Sequence, residues 1–418
     1  MKLLKALVVM LVAAALIVPA VSFAEDRLSL SGQMRTRAFH KDYSFDKLDN
    51  DGTTTYANQR LRIAGKIAVA EGVSVTFRTD ITEGTNWGDS SDFQNGLDEA
   101  IGPIRTNGFG HGRSGAQQQW DRAHLDITKG NFHLRAGQQY VGSGGTWAVD
   151  TQDSGLALDL GEGAPVKLFV ILDDDGGSIN ATDAFLFGGF GNLKGDNFKS
   201  RIILSGYNDG AEQEVYLVGV NGTLNLDAIK LMGELDFFTG DANDAAGLDA
   251  FGTQLLVDAS LALSDTFTLG AQLFYALGDD EDQQYVRLGN GFNGWDPIYD
   301  VGTNLSNEEI VFGNPFDFTG QSAGVVGGRL YTNVKLSDSF SLGASAAYVQ
   351  EEEDAIVESD GYALAAGLKY AILENTSIQM QLQYEDFDVT VVGAADDGSD
   401  IDGGYDAFRA GTGIFVNF

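Results

Sequence analysis

Arg35, Arg37, Arg60, Arg62, Lys66, Arg78, Arg122 and Arg135 gather in the first third of a chain that is poor in positive charge. The 418 residues hold 26 Lys+Arg against 60 Asp+Glu, a formal net charge of -34. Cations concentrated on one surface would set up a field that attracts anions and orients polar solutes. Other chemistries find less support. The four histidines, His40, His111, His124 and His133, are too few and too scattered for a metal centre, and His133 beside Asp126 reads as a hydrogen bond. No Gly-x-Ser-x-Gly elbow marks a hydrolase, and Gly188-Gly189-Phe190-Gly191 is not followed by the Lys-Ser/Thr of a phosphate loop. Asp49-Asn50-Asp51-Gly52 lacks the full spacing of a calcium loop, so the acid runs at 173–175, 279–282, 351–354 and 396–397 read as a solvated rim. No catalytic residue, cofactor or metal is expected, and the chain is not read as an enzyme.

Composition narrows the rest. With no cysteine there is no disulfide framework and no thiolate metal site. The acidic balance argues against nucleic acid as a partner. No apolar stretch reaches the ~18 residues of a membrane helix, yet a hydrophobic content of 43% is too high for disorder. Residues 1–24 read as a cleaved secretory signal: Lys2 and Lys5, an apolar run from Ala6 to Val18, then Ser22-Phe23-Ala24. Its removal leaves 24 basic against 60 acidic residues, a net charge of -36.

The elements that carry the arginines alternate with a period of two. Ile378, Met380, Leu382 and Tyr384 fall on one face, and Gln379, Gln381, Gln383 and Glu385 on the other. Phe340 to Tyr348 and Phe267 to Leu277 repeat the pattern. These segments exceed the ~5–6 residues of an ordinary soluble strand and match the length that crosses a bilayer obliquely. Tight turns at 71–72, 129–130, 264–265, 337–338 and 374–375 alternate with long excursions such as 83–118 and 279–320. The pattern gives 18 strands within 25–418. Segments 156–160, 166–173 and 183–192 are the weakest, so 16 is the alternative. Since an open edge in lipid would leave backbone groups unpaired, the sheet must close. The fold expected is all-β, a closed antiparallel transmembrane barrel with short turns on the periplasmic rim and long extracellular loops. A charge facing mid-bilayer costs ~2–4 kcal/mol, so the eight basic residues are expected to line the lumen. Inward positions show no aromatic track.

The last strand sharpens this reading. Phe418, Val416, Ile414, Thr412, Ala410 and Phe408 share one face; Asn417, Gly413, Gly411 and Arg409 share the other. This ending resembles that of the Gram-negative outer-membrane porins, with no subfamily singled out. The resemblance implies that Phe418, Val416 and Ile414 are read by the barrel-assembly machinery. It also implies residence in the outer membrane among lipid and lipopolysaccharide, assembly as a homotrimer, and passive diffusion of small hydrophilic solutes and ions. In that family the third outer loop commonly folds into the barrel. Carried over to residues 141–155, this places Asp150 and Asp153 opposite Arg35, Arg37, Arg60 and Arg62, although loop 83–118 could fill that role instead. Two alternatives stay open: a substrate-specific channel for an anion or acidic sugar, and a surface adhesin or structural barrel.

Overall fold

The computed structural model describes residues 27–45, 52–86, 117–142, 149–174, 184–208, 213–243, 248–277, 283–284, 300–305, 325–350, 357–391 and 401–418. The expected signal segment, loop 87–116 and the acid runs, apart from Asp173 and Asp174 at the end of β7, lie outside these. Almost everything described is strand: β1 (Leu28–Phe45), β2 (Gly52–Ala70), β3 (Val73–Asn86), β4 (Gln117–Lys129), β5 (Phe132–Gly142) and β6 (Asp150–Leu160). There follow β7 (Val166–Asp174), β8 (Ala184–Lys194), β9 (Phe198–Asn208), β10 (Glu214–Leu226), β11 (Ile229–Asn243), β12 (Leu248–Ser264) and β13 (Phe267–Ala276). Beyond a two-residue strand, β14 (Gln283–Gln284), lie β15 (Val325–Lys335), β16 (Phe340–Gln350), β17 (Val357–Leu373), β18 (Thr376–Val391) and β19 (Ile401–Asn417).

Each long strand pairs antiparallel with its sequence neighbour, β13 with β15, and β1 closes the sheet against β19 from Gln33↔Asn417 to Phe45↔Tyr405. The chain is therefore a closed barrel of 18 strands, with β14 a parallel appendage to β12. Sixteen is ruled out, because the three weak segments are strands β6, β7 and β8. Closure leaves no row of unpaired backbone groups, the condition for a sheet in hydrocarbon. Even the last residue pairs: the Phe418 amide donates to the Gly32 carbonyl at 3.0 Å, and the Gly32 amide donates to the Phe418 carbonyl at 2.7 Å.

The outer surface explains the alternation. Leu30, Leu273, Leu330 and Leu382 are 61, 64, 63 and 51% exposed, within a belt of outward apolar side chains running round the barrel. A belt that wide would aggregate in water, and it suits lipid. Aromatic residues flank it. Toward the long-loop rim the Tyr348 hydroxyl donates to Asp360 at 2.8 Å and Tyr362 to Asp386 at 2.9 Å. Toward the short-turn rim lie Phe132, Phe198, Tyr370 and Phe418.

Candidate functional site: the lumen wall

On β1–β5 the inward positions carry the basic residues. β2 and β3 set Arg62 against Asp80, joined by two 2.6 Å bonds from Nε to Oδ1 and from Nη2 to Oδ2. Such a fork is the strongest geometry a guanidinium and a carboxylate share. Arg78 pairs with Asp121 of β4, which also lies 4.0 Å from Arg62. Arg60 donates to Gln33 at 2.9 Å, and Arg37 donates to Asn58 at 3.0 Å while sitting 5.3 Å from the Phe39 ring. Arg122 stands 5.6 Å from the Tyr140 ring, and Arg60, Arg62 and Arg122 all lie close enough to Arg78 to repel it. Arg35 faces Arg60 in register across β1–β2. Five guanidiniums (Arg35, Arg60, Arg62, Arg78, Arg122) thus gather on this wall, Arg62 paired with Asp80 and Arg78 with Asp121.

Arg135 and Lys66 sit apart from this group and from Arg37. Arg135 lies 3.7 Å from Asp159, in a network that ties His133 to Asp126 (3.0 Å) and Asp159 (3.3 Å), and Lys167 to Asp159 (3.7 Å). Lys66 is exposed toward the short-turn rim.

Of residues 141–155, expected to form the loop that narrows the lumen, only 141–142 and 149–155 are among the described residues. Val141 and Gly142 end β5, and Asp150 and Asp153 lie on β6, opposite Gly142 and Gln139. The cause is local: β5 and β6 keep pairing up to Gly142↔Asp150, which converts most of the supposed loop into wall. Asp153 accepts from the Thr151 hydroxyl at 3.0 Å, so it does not oppose the arginines from a loop.

Among the described residues, the segment that enters the lumen is 300–305, from the excursion between β13 and β15. Val301 and Leu305 are 3 and 0% exposed. It lies against Gly343, Gly367, Gln381 and Gly411, which face one another in register across β16, β17, β18 and β19. A Cβ at Gly343 would come within 2.2 Å of the Val301 carbonyl oxygen, and one at Gly367 within 2.4 Å of Val301 Cγ2. Only hydrogen at these positions lets the segment lie flat on the wall. Polar groups then fix it. Gln379 Oε1 accepts from the Asn304 amide at 2.6 Å, Thr303 meets Gln381, and Arg409 donates to the Leu305 carbonyl at 2.9 Å. Gly302, with φ 74°, makes the turn, its amide donating to Asp300 at 2.9 Å.

Asp121 escaped the sequence reading because a bulge opposite Arg78/Thr79 puts two successive residues, Asp121 and Arg122, inside. The signal was a break of phase: Trp120 and Leu125 both face outward although they stand five positions apart, an odd step that should put them on opposite faces. The inward face also holds aromatic residues after all. Phe169, Phe190 and Phe238 are 3, 2 and 1% exposed. They cluster with Ile171, Ile203 and Leu217 instead of forming a track along the channel.

No protein-family profile matches the chain, and no curated protein does. Solved structures share its fold. OccK2 (OpdF) of Pseudomonas aeruginosa in complex with glucuronate superposes with a TM-score of 0.57 at 12% identity, over 93% of this chain and 98% of that one. OccAB1 of Acinetobacter baumannii gives 0.55 at 13%, over 96% and 99%. OpdK of P. aeruginosa with vanillate gives 0.52 at 10%, over 93% and 99%. The class is thus defined by fold alone: a closed antiparallel barrel of 18 strands. At the level of particular proteins, the chain is similar in fold to OccK2 (OpdF), OccAB1 and OpdK.

Proposed function

We propose that the chain is an outer-membrane channel, with no catalytic role, through which small hydrophilic solutes diffuse passively, and that it favours those bearing a carboxylate. The observation that carries this reading is the gathering of five guanidiniums on one wall of a closed barrel. Among the described residues, the acids that pair with Arg62 and Arg78, Asp80 and Asp121, belong to neighbouring strands of that same wall. Glucuronate and vanillate, bound by two proteins of the same fold, are both carboxylates, which supports the choice. The inserted segment 300–305 takes up lumen space and so favours a selective channel over a wide general pore.

In this reading the short-turn rim faces the periplasm. Outward-facing Ile414 and Phe418, 49 and 59% exposed, with Val416 on the same face, form the signal for the barrel-assembly machinery. Lipopolysaccharide surrounds the outer half, and trimers are the expected assembly. The test is a planar bilayer under a salt gradient. A reversal potential of anion-preferring sign, with current that saturates in gluconate, supports the proposal. Cation preference would refute it.

A further inference from the structure

A second polar station lies on a different arc of the lumen. Near the short-turn rim, β6–β12 enclose a cavity of about 730 Å³ whose charged lining is the Lys167–Asp159 pair, Glu162, Lys194, Lys199, Arg201 and Glu234. Its basic side is built in advance. Asn192 donates to the Ala164 carbonyl at 2.9 Å and accepts from Arg201 Nε at 2.7 Å, while Arg201 Nη1 donates to the Gly142 carbonyl at 3.2 Å. The guanidinium also rests 4.9 Å from the Phe190 ring. Lys194 and Lys199 stand directly opposite each other across the β8–β9 hairpin, and neither has an acidic partner among the described residues. Like charges set face to face destabilise a hairpin by themselves, and a bound anion relieves that repulsion. The other side of the cavity differs: Glu234, 3% exposed, accepts from Asn221 at 3.2 Å and offers a carboxylate to hydrogen-bond donors. Met232, on the strand of Glu234, and Leu256, in register with Glu234 on β12, supply an apolar patch beside it.

We propose that this cavity is a second binding station, at the exit of the channel, for a hydroxylated organic acid. The carboxylate sits on Lys194, Lys199 and Arg201, the hydroxyl groups donate to Glu234, and the carbon skeleton lies on Met232 and Leu256. This rests on the channel reading for its purpose but not for its test. Calorimetric titration of the detergent-solubilised protein uses gluconate and, as a probe of equal charge without hydroxyls, hexanoate. Gluconate binds more tightly than hexanoate. Lys194→Gln with Lys199→Gln lowers gluconate affinity about tenfold, the effect of losing charge-assisted bonds. Glu234→Gln narrows the gap between the two acids. Gluconate and hexanoate binding equally, or an affinity untouched by the lysine substitutions, overturns the station. So does an affinity lost instead in Arg62→Gln with Arg78→Gln, which would move the site to β2–β3. A protein that binds gluconate in this pattern yet conducts no ions supports the station and refutes the channel.

Discussion

The arc β1–β5 and the arc β15–β19 share one outer face and have opposite inner ones. Both show lipid a row of apolar side chains, because the bilayer tolerates nothing else at that depth. Inside, the first arc presents a row of long guanidiniums. The second presents Gly343, Gly367 and Gly411, and its own chain at 300–305 settles on them. Lipid constrains only the outer half of the period-two pattern. The inner half is free to encode either a charged surface or a seat for protein.

That contrast can be broken from either side. The largest effect is expected on the glycine arc. Replacing Val301–Leu305 by a Gly/Ser linker removes the packing, and single-channel conductance should rise several-fold. Gly343→Val, which drives a side chain into the Val301 carbonyl, should give part of that rise. Next comes the basic arc. Arg62→Gln with Arg78→Gln removes two of the wall's five guanidiniums, so the reversal potential should shift most of the way toward no ion preference, whereas Asp121→Asn should strengthen anion preference. Arg62→Ala should also cost stability, about 1–3 kcal/mol in urea titration of folded protein in vesicles, because Asp80 stays 1% exposed without its fork.

The shared outer face gives a control. Leu382→Arg should cost ~2–4 kcal/mol in the same titration, because a charge then faces lipid near mid-strand. The smallest effect is expected at Asp338, in the exposed turn after β15. The hydrogen bond and charge of Lys335, 2.8 Å away, hold its carboxyl below the ordinary aspartate range. A lowered carboxylate contributes stability above its unfolded pKa and loses it as pH falls through the folded value. Both groups are exposed and screened, so Asp338→Asn should leave the thermal midpoint between pH 3 and 5 unchanged.

Strand number and facing were legible because lipid imposes a local rule on each residue. The reading weakened at β6–β8 for a physical reason: Phe169, Ile171, Leu186 and Phe190 make the inner face apolar as well, so the alternation fades. The arginines of β1–β4 were legible by the same rule. Asp121 was not, since one bulge shifts the phase. The inserted segment was not either. Its seat is assembled from four strands distant in sequence, and the visible clue, glycines recurring on the polar faces of β16 and β19, does not say which loop they receive.

The whole account stands on two sides of one sheet meeting different solvents. Because the chain has no cysteine, this can be read at single introduced thiols. Lys66 and Ile67 are consecutive on β2, both exposed, and Lys66 has no partner to disturb. In reconstituted vesicles a water-soluble maleimide should modify Lys66→Cys rapidly and spare Ile67→Cys, while a reagent confined to hydrocarbon should do the reverse. Equal modification of both positions, or the opposite order, would contradict a barrel with lipid outside and water within.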